Sequence, residues 1–208
     1  GGPSVPAYHC ASRRLPGRIL VALIMMTRDT AERSTILRGV VGSTVHGLNV
    51  NDGIEDRDEM GVCVEPLEAV MSLREPFAQF TYRSAVEREG RQDARSSAGD
   101  LDLVIYSLRK WVRLALTGSP TILLPLFTPE DQLVTCDELG LELRALAPAF
   151  VSRRAQAAYL GYLQAQKQRL MGERGRKRVH RPELEEMYGF DTKYAMHMLR
   201  LGFQGVEL

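Results

Sequence analysis

The chain has 208 residues, of which 44% are hydrophobic and 25% charged, and its formal net charge is +1. This length and composition are those of an ordinary globular protein with one domain, or one domain with a helical extension. The near-zero net charge excludes a global attraction to nucleic acid, so any such binding must come from local basic patches.

Three short runs are predicted to form strands. Residues 36–41, 60–64 and 101–106 are rich in β-branched and large apolar side chains. The charged, apolar-poor stretch 89–100 is predicted to be a loop. Residues 69–87 mix Pro76 with aromatic residues and receive no assignment.

Three helices follow from their start and stop signals. Ser107 is expected to cap a helix that ends near residue 117, with Gly118 as its stop and Ser119-Pro120 as the next start. A second helix is expected from Ser152 to Met171 because its apolar residues show helical spacing. The last helix is expected to begin near Asp191 and to continue at least to residue 201.

The segment between the first two predicted strands carries the most informative motif. Gly42 and Ser43 follow an apolar run, and Asp56 and Asp58 lead into the next one. A Gly-Ser turn lets backbone N–H groups approach a phosphate, and a helix starting near residue 44 would add its positive end. Two carboxylates two residues apart on a strand share a face and can bind divalent cations together with phosphate oxygens. The arrangement suits the handling of a nucleoside triphosphate.

This pattern resembles a known superfamily. Gly-Ser followed about a dozen residues later by Asp-x-Asp is similar to the signature of the polymerase-beta-like nucleotidyltransferases. The stretches that narrow the resemblance are Gly47-Leu48 and residues 58–62, 106–111, 118–120 and 188–201. They are similar to the predicted nucleotidyltransferases of an RNA repair pathway in bacteria and phages, over roughly residues 37–208.

The resemblance implies a fold, a reaction and a layout. The fold is α+β, a small mixed sheet flanked by helices with a C-terminal helical region. The reaction is transfer of an NMP group from a nucleoside triphosphate to a hydroxyl acceptor, for which RNA is the candidate, with two Mg²⁺ (or Mn²⁺) ions and release of pyrophosphate. We expect residues 1–30 to form an N-terminal extension that is either non-native or upstream of the true start. A catalytic core at 31–130 and a helical region at 131–208, expected to be truncated at its C-terminus, would follow.

Two-metal chemistry of this kind usually needs a third carboxylate. Asp102 stands at the start of the third predicted strand, where the resembling family has its third acid. Asp100 is the rival. Asp56, Asp58 and Asp102 are therefore the predicted catalytic and metal-binding residues, with Asp102 preferred over Asp100.

Basic residues are expected to meet the triphosphate. Lys193, His197 and Arg200 are spaced i, i+4 and i+7, so they share one face of the last helix. The resemblance adds them, with Gly42, Ser43 and Lys110, to the nucleotide-binding residues. On composition alone, the same face could be a solvated surface without a ligand. Met196, Leu199 and Phe203 mark a neighbouring apolar face that is expected to belong to the core.

Two features support other functions. Arg57 and Glu59 replace the apolar residues that commonly flank the paired acids, which is compatible with an inactive nucleotidyltransferase-like module that binds nucleotide or RNA. A basic run contains Arg174, Arg176, Lys177 and Arg178 and could contact an RNA backbone. In that case the protein could instead act as an interaction protein.

The cellular setting is inferred from cysteines and hydropathy. Cys10, Cys63 and Cys136 are odd in number, widely spaced and free of CxxC pairing, which favours reduced thiols and a cytoplasmic location. The apolar run 19–26 is too short to span a bilayer, so no membrane association is expected. No feature of the sequence indicates an oligomeric state.

Overall fold

A computed structural model describes residues 27–42, 56–71, 76–94, 96–97, 99–173 and 182–207. These residues build one five-stranded sheet with helices around it. The strands are β1 (Thr35–Val41), β2 (Arg57–Cys63), β3 (Gln79–Arg83), β4 (Leu101–Ser107) and β5 (Leu133–Cys136).

Ten α-helices lie in the described parts of the chain. Three are short and precede β4: α1 (Arg28–Arg33), α2 (Leu67–Val70) and α3 (Ser84–Glu89). The others follow β4: α4 (Leu108–Ala115), α5 (Pro120–Phe127), α6 (Glu138–Ala145), α7 (Ala147–Phe150), α8 (Arg153–Leu170), α9 (Pro182–Tyr188) and α10 (Thr192–Glu207).

The sheet is mixed, in the order β3-β4-β2-β1-β5. β2 runs parallel to β4, and the other neighbouring pairs are antiparallel. The starts of β2 and β4 therefore lie at the same end of the sheet as the end of β1. This shared end brings together residues that are far apart in sequence.

Alternation of side chains divides the sheet into two faces. One face carries Met60 and Val62 of β2 into the main core, where they join the fully buried Trp111 and residues of α5, α8 and α10. The other face carries Cys63, Leu103 and their neighbours into a smaller cluster with α1. Helices α8 and α10 pack along each other beside the first face.

The predicted elements are found with small shifts. β1, β2 and β4 include the three predicted strands apart from residue 64, and Ser107 caps α4 by accepting a hydrogen bond from the Lys110 N–H. Ser152 caps α8 in the same way, and α10 begins at Thr192. The α+β fold class is confirmed.

Two strands have no counterpart among the predictions. β3 lies in the unassigned segment, and the short β5 pairs with the edge of β1 beyond residue 130. Both are edge strands with incomplete burial. Because such strands lack a clean hydrophobic alternation, pairing with a formed neighbour decides their conformation.

Among the described residues, no helix is long and apolar enough to cross a lipid bilayer. Cys63 and Cys136 are free thiols.

Candidate active site

Strand register brings two of the predicted acids face to face. Asp58 on β2 pairs with Asp102 on the parallel β4, and Val41 at the end of β1 pairs with Asp58 from the other side. Residues paired in this way project from the same face of a sheet. Asp56 lies immediately before β2. All three predicted acids therefore lie at one end of the sheet.

Burial and neighbouring charges shift the pKa of Asp58. Burial, as the largest cause, together with the negative charges of Asp56 and Asp102, raises the pKa of Asp58 from 3.8 to about 6. The positive charge of Lys193 on α10 acts in the opposite direction. The site thus concentrates negative charge with incomplete compensation, an environment that a cation would stabilise.

Gly42 lies directly against this carboxylate. Its φ of 91° is in the left-handed region, and a Cβ built on it would come within 2.7 Å of Asp58 Oδ2. Any side chain here would therefore be strained and would collide with the acid. The glycine allows the backbone to pass beside Asp58, as the predicted phosphate turn requires.

Asp102 and its rival Asp100 have different surroundings. Asp102 is a quarter exposed, accepts hydrogen bonds from Ser96 Oγ at 2.9 Å, and forms an ion pair with Arg83 Nε at 3.3 Å. Asp100 is buried and accepts hydrogen bonds from Arg88, Ser84 and Ser97. Both of its carboxylate oxygens are occupied by protein donors, and these bonds, led by Arg88, hold its pKa well below the usual range. Asp100 is a structural anchor, and Asp102 is the acid that faces Asp58.

Helix α10 supplies the predicted cations. Lys193 is near enough to lower the pKa of Asp58. His197 and Arg200 line a cavity of about 490 Å³ together with Gly42, Asp58 and Asp102. The i, i+4, i+7 spacing thus turns one helix face toward the acids, as the sequence predicts.

Lys110 lies elsewhere. Its ammonium donates to Gln79 Oε1 at 2.7 Å and lies 5.7 Å from the centre of the Tyr106 ring. Asp102 and Tyr106 are four residues apart on β4, a separation of about 13 Å along the strand. The structure therefore does not bring Lys110 together with the acids.

The charged residues beside the acids occupy the opposite face of the sheet. Glu59 is 5% exposed and forms ion pairs with Arg38 at 2.5 Å and with Arg57 at 2.5 Å. Arg38 also pairs with Glu32 of α1 at 3.3 Å. Since Glu59 alternates with Asp58 along β2, these charges form a separate paired network and do not crowd the acids.

The cavity also contains residues that have no role in the predicted site. Arg83 comes from β3, and Tyr162 and Gln166 come from α8. Tyr162 and Gln166 fall within the helix predicted from Ser152 to Met171, but that prediction concerns helical packing and gives neither residue a role in a site. Their place in the same cavity as Asp58 and Asp102 is what connects them with a ligand.

The apolar face of α10 departs from expectation. Leu199 is 57% exposed and Phe203 is 71% exposed, so the assignment of these two residues to the core was wrong. They line a wide groove of about 790 Å³ with Met196, Phe190 and Phe127. The buried side of α10 is instead set by its packing on α8, where Leu201 is 2% exposed.

Several predicted residues lie outside the described part of the chain. They are Ser43 and the basic run with Arg174, Arg176, Lys177 and Arg178. Their predicted roles stay predictions.

The acids of the site supply oxygen ligands of the kind that magnesium prefers. Among the described residues, no group of three or more His, Cys, Asp or Glu side chains is already arranged to hold a metal ion. Asp56, Asp58 and Asp102 nevertheless interact electrostatically, and all three are hard oxygen donors. Mg²⁺ typically takes one or two carboxylates and completes its shell with substrate phosphates and water. The residues therefore fit an ion that arrives with a triphosphate better than a resident, fully protein-bound metal.

The mixed sheet, the glycine turn against Asp58 and the facing acids define a polymerase-beta-like nucleotidyltransferase fold. Comparison with protein families agrees: the model of the RNA repair pathway DNA polymerase beta family, RlaP, matches residues 18–208. The chain belongs to this family. A search among curated proteins found no significant match.

Proposed function

We propose that the protein is a magnesium-dependent nucleotidyltransferase. It would move an NMP group from a nucleoside triphosphate to an acceptor hydroxyl by in-line attack on the α-phosphorus. The bond from the α-phosphorus to the bridging oxygen breaks, and pyrophosphate leaves. The observation that carries the proposal is the register of Asp58 with Asp102 beside Gly42.

Each group has a defined task in this proposal. Two Mg²⁺ or Mn²⁺ ions would be held by Asp56, Asp58 and Asp102. When bound, these ions would neutralise the charge of the triphosphate and lower the pKa of the attacking hydroxyl. Gly42, with Ser43, would admit the β- and γ-phosphates close to the backbone. Asp102 would also be placed to accept the acceptor's proton.

The cations of α10 would bind the negative charge from the other side of the cavity. Arg200 suits phosphate oxygens because its guanidinium can donate two parallel hydrogen bonds, whereas Lys193 acts as a compact charge. The described residues contain no carboxylate in ion-pair contact with Arg200. His197 lines the same cavity and would contact phosphate or acceptor.

The decisive experiment follows label from each of four α-labelled nucleoside triphosphates. The protein and its Asp56→Ala/Asp58→Ala form are incubated with magnesium or manganese, total RNA and cell extract. We expect label to reach an acceptor only when the acids are intact. Digestion of the product with RNase or protease then identifies the acceptor class.

A matched variant separates catalysis from folding. Glu59→Gln alters a carboxylate on the same strand but on the other face of the sheet. We expect it to retain label transfer, whereas Asp58→Ala loses it with an unchanged circular dichroism spectrum. Transfer by a folded Asp58→Ala protein would contradict the proposal.

A second function has one specific observation in its favour. The ion pair between Arg83 and Asp102 occupies the third carboxylate, which is compatible with a nucleotide- or RNA-binding module that no longer catalyses. This alternative predicts metal-dependent triphosphate binding without pyrophosphate release. Arg57 and Glu59 no longer support it, because their charges lie on the opposite face.

RNA as acceptor is part of the proposal, in line with a family named for RNA repair. Contact through Arg174, Arg176, Lys177 and Arg178 would make RNA affinity fall as salt rises. Filter binding at several salt concentrations, with and without magnesium, tests this partner. RNA binding that depends only on salt, without label transfer, would favour an interaction protein.

A further inference from the structure

One wall of the acid cavity is formed by helix α8. Tyr162 and Gln166 are four residues apart on this helix, so they share a face and are separated by a rise of about 6 Å. Both line the cavity that also contains Asp58 and Asp102. This wall has no task in the transfer chemistry described above.

Gln166 has an unsatisfied polar atom. The residue is 6% exposed, and its Oε1 is buried without a hydrogen-bond partner among the described residues. Buried acceptors are rarely left unpaired because the protein loses the hydrogen bond that water would have supplied. The terminal torsion of a glutamine is soft, so the amide can turn toward a donor in the cavity.

Tyr162 is exposed for a cavity residue. Its exposed fraction is 51%, one turn of helix away from the buried amide. An aromatic ring that remains accessible in a cleft offers a flat surface on which a planar ligand can stack. Base stacking on aromatic side chains is a common source of affinity for nucleotides.

Arg200 limits the chemical class of the ligand. In the part of the chain that the structure describes, its Nε is also buried without a hydrogen-bond partner, and the residue lines the same cavity from α10. A phosphate group offers acceptors only, so it can satisfy Arg200 but not the Gln166 acceptor. A ligand that satisfies both must carry a hydrogen-bond donor beside its acceptors, as the edge of a nucleobase does.

We infer that Tyr162 and Gln166 form a nucleobase-binding wall, in which Tyr162 stacks on the base and Gln166 accepts a hydrogen bond from its edge. The inference rests on the proposed function, since it concerns the base of the nucleotide whose phosphates meet the acids. It makes Gln166 a residue that determines which base is preferred. The wall and the acids together hold the two ends of one substrate.

The test compares ligands with and without a nucleoside. Calorimetric titrations in magnesium use the four nucleoside triphosphates, their 2′-deoxy forms and inorganic tripolyphosphate. We expect at least one nucleoside triphosphate to bind about tenfold more tightly than tripolyphosphate. If no nucleoside triphosphate binds better than tripolyphosphate, the inference is overturned while the proposed phosphate site stands.

Substitutions at two positions locate the effect on α8. Gln166→Met removes the acceptor at similar volume. It should weaken binding of the preferred nucleotide about three- to tenfold and make the affinities for the four nucleotides similar. The affinity for tripolyphosphate should stay within twofold of the parent. Tyr162→Leu should weaken all four nucleotides about tenfold, whereas Tyr162→Phe retains the ring and should bind like the parent. Gln164→Met, on an exposed position of the same helix, is the matched control.

Stability provides an independent readout. Because Gln166→Met removes an unpaired buried acceptor, the ligand-free variant should melt no lower than the parent, and it should gain less from nucleotide. A lower melting temperature with unchanged nucleotide affinity would show a purely structural role and overturn the inference.

Three further outcomes would also overturn it. An equal loss of tripolyphosphate and nucleotide affinity in Gln166→Met would place the amide at the phosphates. A loss seen with ribonucleotides but not with deoxynucleotides would place it at the ribose. Absence of magnesium-dependent binding by every ligand would remove the proposed function, and the nucleobase wall with it.

Discussion

At the scale of single residues, the surroundings of each carboxylate decide whether its pKa is raised or its charge is stabilised by hydrogen bonds. Asp58 and Asp100 are both acids at one end of the sheet, yet their environments shift their pKa values in opposite directions. Burial and nearby carboxylates act on Asp58, whereas Arg88 and several hydroxyl and amide donors act on Asp100. The carboxylate of Asp58, whose charge is poorly compensated, is suited to bind a ligand, whereas the hydrogen-bonded carboxylate of Asp100 stabilises the fold.

The raised pKa of Asp58 predicts that Asp58→Asn increases the free energy of unfolding by an amount that depends on pH. The folded protein holds this proton more tightly than the unfolded chain, so the free energy of unfolding falls as pH rises from about 4 through about 6. At pH 8 the variant should be more stable by about 1 kcal/mol, since partial exposure weakens the effect, and melt about 2 to 4 °C higher. Near pH 4 the gain should vanish.

Melting followed by circular dichroism in magnesium-free buffer, from pH 4 to pH 8, checks this prediction. Asp137→Asn would be an unsuitable control because Asp137 caps α6. Asp131→Asn is a suitable control because Asp131 is exposed and lies outside the acid site. A gain for Asp58→Asn that is the same at both ends of the range would contradict the prediction.

Asp100 and Asp102 should respond differently to the same substitution. Asp100→Asn weakens buried charge-assisted hydrogen bonds and should lower the free energy of unfolding by about 2 to 3 kcal/mol. Asp102→Asn affects a partly exposed ion pair and should cost less than about 1 kcal/mol. Urea denaturation measures both values.

Label transfer by the folded variants should show the reverse order. Asp102→Asn should lose it, and Asp100→Asn should retain it below its melting temperature. If Asp100→Asn were the stable and inactive variant, the two acids would exchange roles.

At the scale of elements, a glycine after α4 controls how closely the helices approach. Gly118 has a φ of 75°, and a Cβ built on it would lie 2.4 Å from Ala155 Cα on α8. The sequence predicts Gly118 as a helix stop, which is correct. Its second task, contact with the backbone of a helix 37 residues later, depends on tertiary packing that local signals do not encode.

Gly118→Ala is therefore expected to be more harmful than a similar change elsewhere. Gly90 also has a left-handed φ, of 68°, but has open space around its Cβ position. Gly90→Ala should cost about 1 kcal/mol from backbone strain alone. Gly118→Ala should cost at least about 2 kcal/mol because α8 must also move. If urea denaturation gave equal losses of unfolding free energy for the two variants, α8 would be shown to shift without an energetic cost.

At the scale of the whole molecule, one face of the sheet contributes to stability and the other carries the candidate active site. The Glu59 side chain alternates with that of Asp58 along β2, so its ion pairs lie on the face of the sheet opposite the acids. Glu59→Gln should lower the free energy of unfolding by about 2 to 3 kcal/mol, because Arg38 and Arg57 lose their shared carboxylate. Magnesium-dependent tripolyphosphate binding, measured below the melting temperature, should remain within twofold of the parent. A large loss of binding would show that the two faces are coupled.

The parts predicted from sequence are those with strong local signals. Strands β1, β2 and β4 are buried and apolar, and α4, α8 and α10 have clear caps, so their positions follow from short-range chemistry. The nearness of Asp58 and Asp102 followed from resemblance and agrees with the strand register. Strand β3, with Arg83 near Asp102, had no such signal because its pairing with β4 is a tertiary event.

The parallel pairing of β2 with β4 has a consequence for the order of folding. Asp58 and Asp102 are 44 positions apart in the chain, and contacts between distant segments form late because loop closure must precede them. The burial of Asp58 between its neighbouring strands and the nearby charge of Asp102 are complete only after β4 has docked. When the unfolded protein is refolded at about pH 5, it should therefore take up a proton in the same kinetic phase that completes the sheet. A pH indicator dye in a stopped-flow experiment would measure the rate at which the site assembles.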